Sequence, residues 1–196
     1  MELKVSGFTI KKDLSVSMVA ANIYSLVFAV PLAIIFVALY LGIWGNPGLV
    51  QAREEMVRHF VLFILLFLLG IFLHELIHGA AWAILGKKSL TVIHYGMNWK
   101  VFSPYAHCRE PLLVGPYRLG AILPGIILGF IPAIAGIASG IGWVFLLGLI
   151  FTVAAGGDMV VLWLLRHENS REWVLDHDSR AGCYLIEINP PEQPMK

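Results

Sequence analysis

The sequence predicts an all-α membrane protein, a bundle of four transmembrane helices with a small β-hairpin or sheet outside the membrane. Two observations support this fold class. Of the 196 residues, 58% are hydrophobic and only 14% are charged, which is not the balance of a water-soluble protein. Four stretches are also apolar over the ~20 residues that a helix needs to cross about 30 Å of hydrocarbon. We therefore treat residues 1–196 as a single integral-membrane domain.

The predicted spans are separated by short polar segments. The first 15 residues include Lys4, Lys11 and Lys12, yet the apolar run behind them is longer than the hydrophobic part of a signal peptide. We interpret this run as a retained first span. The four spans cover approximately residues 16–44, 59–86, 116–139 and 141–165.

Basic residues are distributed unevenly between the two sides of the membrane. Residues 1–15, 87–118 and 166–196 carry 12 of the 14 Lys and Arg residues, whereas the segment after the first span holds only Arg53 and Arg58. By the positive-inside rule, both termini are predicted to be cytoplasmic. We expect a multi-pass protein of the cell membrane with a cytoplasmic tail, residues 166–196.

Charge and cysteine content exclude other classes. The net charge of +1 provides no basic surplus for a phosphate backbone, so nucleic acid is not an expected partner. Cys108 and Cys183 form no C-x-x-C pair and are too few for a disulfide framework, which indicates free thiols.

The second span is followed by a predicted hairpin, residues 89–107. Residues 89–95 and 99–107 are rich in β-branched and aromatic side chains around a Gly96-Met97-Asn98 turn. Residues 182–188 and 3–10 alternate similarly, so we expect a small cytoplasmic sheet against the membrane. The Pro-rich segment 189–194 is predicted to be a frayed tail.

Ionisable side chains in hydrocarbon are costly, and those that occur there are functional candidates. Arg118 and His59 lie near span ends, where they can reach the headgroups. The deeply placed ionisable residues are His74, Glu75 and His78 in the second span and Asp158 in the fourth.

Residues 74–78 read His-Glu-Leu-Ile-His, an HExxH motif. At about 100° per residue, positions i and i+4 lie about 40° apart and one turn along the helix, so His74 and His78 can bind one tetrahedral Zn²⁺. Glu75 projects beside them, where it can act as a general base. The alternative is a pair of interior histidines that hydrogen-bond to Glu75 and to backbone carbonyls.

Asp158 is the best candidate for a third zinc ligand, because its depth matches that of His78. Each lies about 12 Å inside the cytoplasmic boundary, on spans that run in the same direction. Small residues at 79–81 and 155–157 would let the two backbones approach closely. Glu110 and a loop histidine remain alternative third ligands, and Asp158 could instead be a structural acid paired with a histidine.

The remaining ligand-type residues have ordinary interpretations. His94 and His107 on the hairpin are expected to be interface or surface residues, with a ligand or transition-state donor as the alternative. The run Asp176-His177-Asp178 is expected to form a solvated turn.

Six short motifs occur along the chain: HELIH at 74–78, CREP at 108–111, YR at 117–118, LPG at 123–125, GGD at 156–158 and DHDSRAG at 176–182. With these motifs, roughly residues 60–188 resemble the zincin peptidase family of small prokaryotic membrane proteins and, more distantly, the site-2 intramembrane metalloproteases. In site-2 proteases an asparagine-proline pair usually precedes the aspartate and a glycine follows it, whereas this chain has Gly156-Gly157 before Asp158 and Met159 after it.

The resemblance implies a zinc-dependent membrane-embedded protease that hydrolyses peptide bonds of membrane or membrane-proximal proteins, with its active site towards the cytoplasm. It implies His74, His78 and Asp158 as zinc ligands and Glu75 as the base. The alternative class is a non-catalytic metal-binding or pseudoprotease scaffold, and an intact Glu75 favours the enzyme. The sequence leaves a homodimer open.

Overall fold

A computed structural model describes residues 4–5, 7–99 and 103–189 of the chain. The architecture is mainly helical, with a small antiparallel sheet at one end. The helices are α1 Met18–Arg58, α2 Phe60–Leu85, α3 Val114–Pro124, α4 Ile131–Ser139, α5 Gly142–Ala154 and α6 Gly156–Leu165. The strands are β1 Lys4–Val5, β2 Phe8–Val16, β3 Ile93–Asn98, β4 Ser103–Cys108, β5 Leu112–Leu113, β6 Trp173–Asp176 and β7 Ala181–Ile188.

Within the described residues, three helical units are long and apolar enough to cross a membrane: α1, α2 and the continuous unit Val114–Ser139. The pair α5 and α6, bent by 42°, makes a fourth if it is one span. In the most apolar part of α1 and of α2, only 17% of residues are buried inside the protein. Their apolar side chains therefore face outwards, as contact with lipid requires.

The first helix is longer than the predicted first span. It continues to Arg58 through a kink at Gly45, whose φ of 65° lies in the left-handed region that favours glycine. Pro47 follows the kink, where its fixed φ suits the start of a new helical segment. Hydropathy predicts an end at Trp44 because the segment beyond the kink is polar.

The third and fourth units are both irregular in the middle. Residues Gly125–Phe130 form a π-helical segment between α3 and α4. Pro132 has no N–H to donate to the preceding turn, which favours a wider local helix there. The helix also breaks at Ala155, between α5 and α6, so that Asp158 lies in the first turn of α6.

The five-stranded sheet joins the two ends of the chain. Its order is β1-β2-β7-β6-β5, and all neighbours are antiparallel. Because β2 precedes α1 and β7 follows α6, both ends of the described chain lie on the same side of the helices. The sequence predicts the strand at 182–188 and part of 3–10, but not β5 or β6. Residues 3 and 6, like most of the predicted tail, lie outside the described residues.

The hairpin is present, but its predicted turn was wrong. Gly96 and Asn98 belong to β3, where Gly96 lies opposite Tyr105 of β4. A Cβ on Gly96 would lie 2.5 Å from the Tyr105 ring, so this glycine allows ring packing rather than a turn. The connection lies after Asn98, and residues 100–102 are outside the described part of the chain.

One apolar core joins the helices to the sheet and the hairpin. Its buried members come from α2, β3, β4, β5, α3, α6, β6 and β7, so the parts outside the helices are packed against them. They include Trp82, Ile93, Cys108, Leu112, Tyr117, Leu165, Val174, Cys183 and Leu185.

Close packing between α5 and α4 depends on Gly148. A Cβ there would overlap the backbone of Ala133 and lie 2.8 Å from the carbonyl oxygen of Gly129. We expect Gly148→Ala to destabilise the protein by about 1–3 kcal/mol, because backbone atoms must move to accommodate the methyl group. Thermal unfolding in detergent is the measurement. Gly42→Ala is the control, since a Cβ at Gly42 meets no atom within 4 Å. An equal effect of both substitutions would contradict the prediction.

Candidate metal centre

The motif on α2 brings two imidazoles to one face of the helix. His74 and His78 are one turn apart, and their ring centroids are 4.8 Å apart at an interplanar angle of 80°. Both side chains are largely buried, with 12% and 7% of their surface exposed. The i, i+4 spacing therefore places both rings on one side of α2, as the sequence predicts.

Asp158 reaches these rings from α6. Its Oδ2 lies 3.1 Å from Nε2 of His74, and its Oδ1 lies 3.3 Å from Nε2 of His78. The three side chains offer ligand atoms that all lie within 4.8 Å of one another. The break at Ala155 makes this contact possible, because it starts a new helix just ahead of Asp158.

The second nitrogen of His78 is also fixed. Its Nδ1–H donates to the carbonyl oxygen of Gly120 on α3 over 2.9 Å, which leaves Nε2 as the ring nitrogen that faces Asp158. The His78 ring stacks on Trp82, which in turn stacks on Tyr117 and donates from Nε1 to the Tyr117 carbonyl over 3.1 Å. Helix α3 thus orients His78 without supplying a candidate ligand itself.

The donor set fits a zinc ion. Two imidazole nitrogens and a carboxylate oxygen are the three protein ligands of many catalytic zinc sites. In a tetrahedral site with bonds of about 2.0–2.1 Å, neighbouring donors are about 3.3 Å apart. The two nitrogen–oxygen separations, 3.1 and 3.3 Å, are close to that value but involve different oxygens of Asp158, and the ligand atoms of all three residues lie within 4.8 Å of one another. The residue types and their proximity therefore fit a zinc ion held by His74, His78 and Asp158.

Glu75 lies between the candidate ligands and the hairpin. The backbone N–H of Ala106 on β4 lies near its carboxylate, and both residues line the same cavity. The hairpin also packs on α2 one turn further on, where the Tyr95 hydroxyl fills the space beside Gly79. The hairpin therefore lies beside the acid of the motif.

A cavity of about 500 Å³ connects these groups to the exterior. Its wall includes His74, Glu75, His78 and Asp158 together with the hairpin and the turn between β6 and β7. Helix α1 also contributes Asn22 and Ser25 to this wall. Asn22 carries no charge, so the pattern of ionisable residues does not single it out, although its amide is a polar group within an apolar segment.

Asp176 is a second functional candidate, and the prediction that it lies in a solvated turn was wrong. The structure places it in β6 with its side chain 11% exposed. Its Oδ1 accepts from the Tyr117 hydroxyl over 2.8 Å, and its Oδ2 accepts from the Cys108 N–H over 3.3 Å. Nδ1 of His107 lies 3.3 Å from the same Oδ2. The hydrogen bond with Asp176 raises the pKa of His107 above its usual value.

The other sequence candidates lie outside the three-ligand cluster. Glu110 pairs with Nζ of Lys88 over 2.9 Å at the surface, away from His74 and His78. The Tyr184 hydroxyl lies 2.7 Å from Nε2 of His177, and Asp178 is 94% exposed.

The two cysteines are free and buried. Burial raises the pKa of both thiols, which disfavours a thiolate ligand.

An HExxH helix with a later acidic residue beside it defines the zincin class of metallopeptidase centre. A family model described as "Putative zincin peptidase" matches residues 67–172, which is more than half of the chain. The chain belongs to this family, as the sequence predicts. The matched segment contains the HExxH motif and Asp158. No curated protein and no solved structure matches the chain.

The cluster predicts the effect of single substitutions on metal content. We expect about one zinc ion per chain in detergent-purified wild type, and its loss in His74→Ala and in Asp158→Ala, because two ligands hold zinc poorly. Glu75→Gln should keep the metal. Elemental analysis of the purified protein measures it. The control is Glu110→Ala, which removes the alternative third ligand. Loss of zinc in Glu110→Ala together with retention of zinc in Asp158→Ala would contradict Asp158 as the third ligand.

The pair of His107 and Asp176 predicts a pH dependence of stability. Because the folded pKa of His107 is raised, its contribution is fully present below the unfolded value of about 6.5 and is lost as the pH rises through the folded pKa. The unfolding temperature of wild type minus that of His107→Gln should therefore shrink with rising pH. A difference that stays constant between about pH 5 and 9 would contradict this.

Proposed function

We propose that the protein is a zinc-dependent, membrane-embedded metalloprotease that cuts membrane or membrane-proximal proteins. The observation that carries this proposal is the convergence of His74, His78 and Asp158 beside Glu75 within one cavity between the helices. Membership of the zincin peptidase family supports the same reaction class.

The chain's own residues account for the proton transfers. A zinc ion bound by the three ligands would supply a Lewis acid that makes water a better nucleophile and polarises the substrate carbonyl. Glu75 takes a proton from the attacking water as the new C–O bond forms. It then returns that proton to the departing amine nitrogen as the C–N bond breaks. The backbone of Ala106 lines the same cavity as the Glu75 carboxylate.

The position of the cavity supports a membrane-associated substrate. Its walls include helices that are apolar enough to span a bilayer, and its polar residues open towards the hairpin and the β6–β7 turn. A helix in lipid has its carbonyls engaged in i→i−4 hydrogen bonds, so a peptide bond becomes accessible only where the helix is locally unwound. We infer that the substrate enters as an extended segment at the membrane surface.

The side on which the cavity opens is proposed to be cytoplasmic. The hairpin and the sheet lie at the same end of the helices. The segments that form them, residues 1–15, 87–118 and 166–196, contain 12 of the 14 Lys and Arg residues. By the positive-inside rule, that end faces the cytoplasm of a cell-membrane protein.

A non-catalytic scaffold is a second candidate, and one observation favours it. Asp158 lies within ion-pair distance of both histidines, and no described side chain has a buried polar atom without a partner. The cluster is therefore satisfied without a metal. A scaffold gives no role to Glu75 as a base, so substitution of this residue separates the two candidates.

The test is proteolysis by the purified protein in detergent with zinc, using fluorescently labelled casein as an unstructured probe. Glu75→Gln should lower the rate by about 100-fold or more while zinc content is unchanged, because it removes the general base. The matched control, Glu110→Gln, should cleave like wild type. Equal cleavage by wild type and Glu75→Gln would exclude the mechanism, and a zinc-loaded wild type without cleavage would favour the scaffold.

A further inference from the structure

We propose that His107 is a further catalytic residue, which donates a hydrogen bond from Nε2 to the carbonyl oxygen of the substrate, and that Asp176 is its positioning residue. This inference rests on the proposed protease function and deepens it.

One nitrogen of the His107 ring, Nδ1, contacts Asp176, and the other, Nε2, points away from that carboxylate. Nδ1 lies 3.3 Å from Oδ2 of Asp176, and the side chain is 14% exposed. Around Nε2, the acidic neighbour is Asp178, whose Oδ1 is 3.6 Å away, longer than a hydrogen bond, and whose side chain is 94% exposed. His107 lines the same cavity as the three metal-ligand candidates. In the protonated imidazolium, Nδ1–H faces Asp176 and Nε2–H is a donor available to a molecule in that cavity.

The support of His107 is rigid because Asp176 is held by three groups. Besides His107, it accepts from the Tyr117 hydroxyl of α3 and from the Cys108 N–H of β4. Turning the imidazole away would break its bond to a carboxylate that is itself fixed. A preorganised donor of this kind stabilises developing charge without reorganisation during the reaction.

The donor is also close to the candidate base along the chain. Ala106, the residue before His107, has its backbone N–H near the Glu75 carboxylate. Strand β4 thus passes the base at one residue and presents the imidazole at the next. When water attacks the peptide carbonyl carbon, the π electron pair moves to the carbonyl oxygen, which becomes an oxyanion. A hydrogen bond from His107 to this oxygen is stronger in the transition state than in the ground state.

His94 provides a matched control. It is the cross-strand partner of His107 on β3, so it has the same residue type at the same level of the hairpin. In the described part of the chain, the cavity is lined by His107 and not by His94. A role of the hairpin histidines in folding would affect both positions, whereas a role in the reaction would affect His107.

The first experiment measures binding of two probes to zinc-loaded protein in detergent. A phosphinic dipeptide imitates the tetrahedral oxyanion, whereas acetohydroxamic acid engages the metal without a tetrahedral centre. We expect His107→Ala to lower the affinity for the phosphinic dipeptide by about 100-fold and to leave the affinity for acetohydroxamic acid unchanged. His94→Ala should affect neither, and zinc content should be the same in all three proteins. Equal affinity of wild type and His107→Ala for the phosphinic dipeptide, or equal weakening of both probes, would overturn the inference.

The second experiment separates positioning from folding. Asp176→Asn should lower kcat for labelled casein with little change in KM, and should shift the pH profile, because Asp176, Asp178 and Arg109 all influence the His107 charge. His107→Gln, which keeps a donor, should recover part of the loss seen in His107→Ala. If Asp176→Asn raised KM and left kcat unchanged, Asp176 would not be a positioning residue for His107.

The two proposals fail in different ways. A wild-type protein that holds zinc but binds neither probe would overturn the protease function, and this inference with it. Wild-type binding of both probes with no discrimination by His107→Ala would overturn this inference alone.

Discussion

An ionisable side chain that is largely buried among apolar helices must find a partner, because it is withdrawn from the water that would solvate its charge. In this protein the constraint falls on His74, His78 and Asp158. Their mutual contacts connect α2 to α6, and the Nδ1–H of His78 adds α3 through the carbonyl of Gly120. Three helical units are thus drawn together by one cluster. Apolar side chains alone would not specify this contact, since apolar packing is non-directional.

A second polar cluster at Asp176 performs the same task outside the helices. It connects β6 to the hairpin through His107 and Cys108, and to α3 through Tyr117. The two clusters are joined by stacked rings, since Trp82 lies between His78 and Tyr117. A displacement of the sheet would therefore shift His78, because the side chains between them are in contact.

Sequence reasoning found the parts of this arrangement that depend on local pattern. Hydropathy located the apolar helices, and helical periodicity placed His74 and His78 on one face. Depth along two parallel spans identified Asp158 as the partner that the structure brings beside them. The role of Asp176 could not be found in this way, because its burial depends on the pairing of β6 with β5 and β7. The turn at Gly96 was misplaced for a related reason: glycine serves turns and close ring contacts alike, and only the cross-strand neighbour decides between them.

The break between α5 and α6 concerns both the backbone, which is irregular there, and the Asp158 carboxylate, which follows it. Irregular backbone within a membrane is tolerated only where protein or water, rather than lipid, surrounds it. Here the break occurs at Ala155, which is buried, and the following Gly157 and Asp158 line the cavity. Starting a helix at this depth also places the Asp158 carboxylate in the first turn of α6, where the helix dipole favours a negative charge. A continuous fourth helix would have provided neither the dipole nor the bend. The irregularity is therefore part of how the candidate ligand is presented to the two histidines.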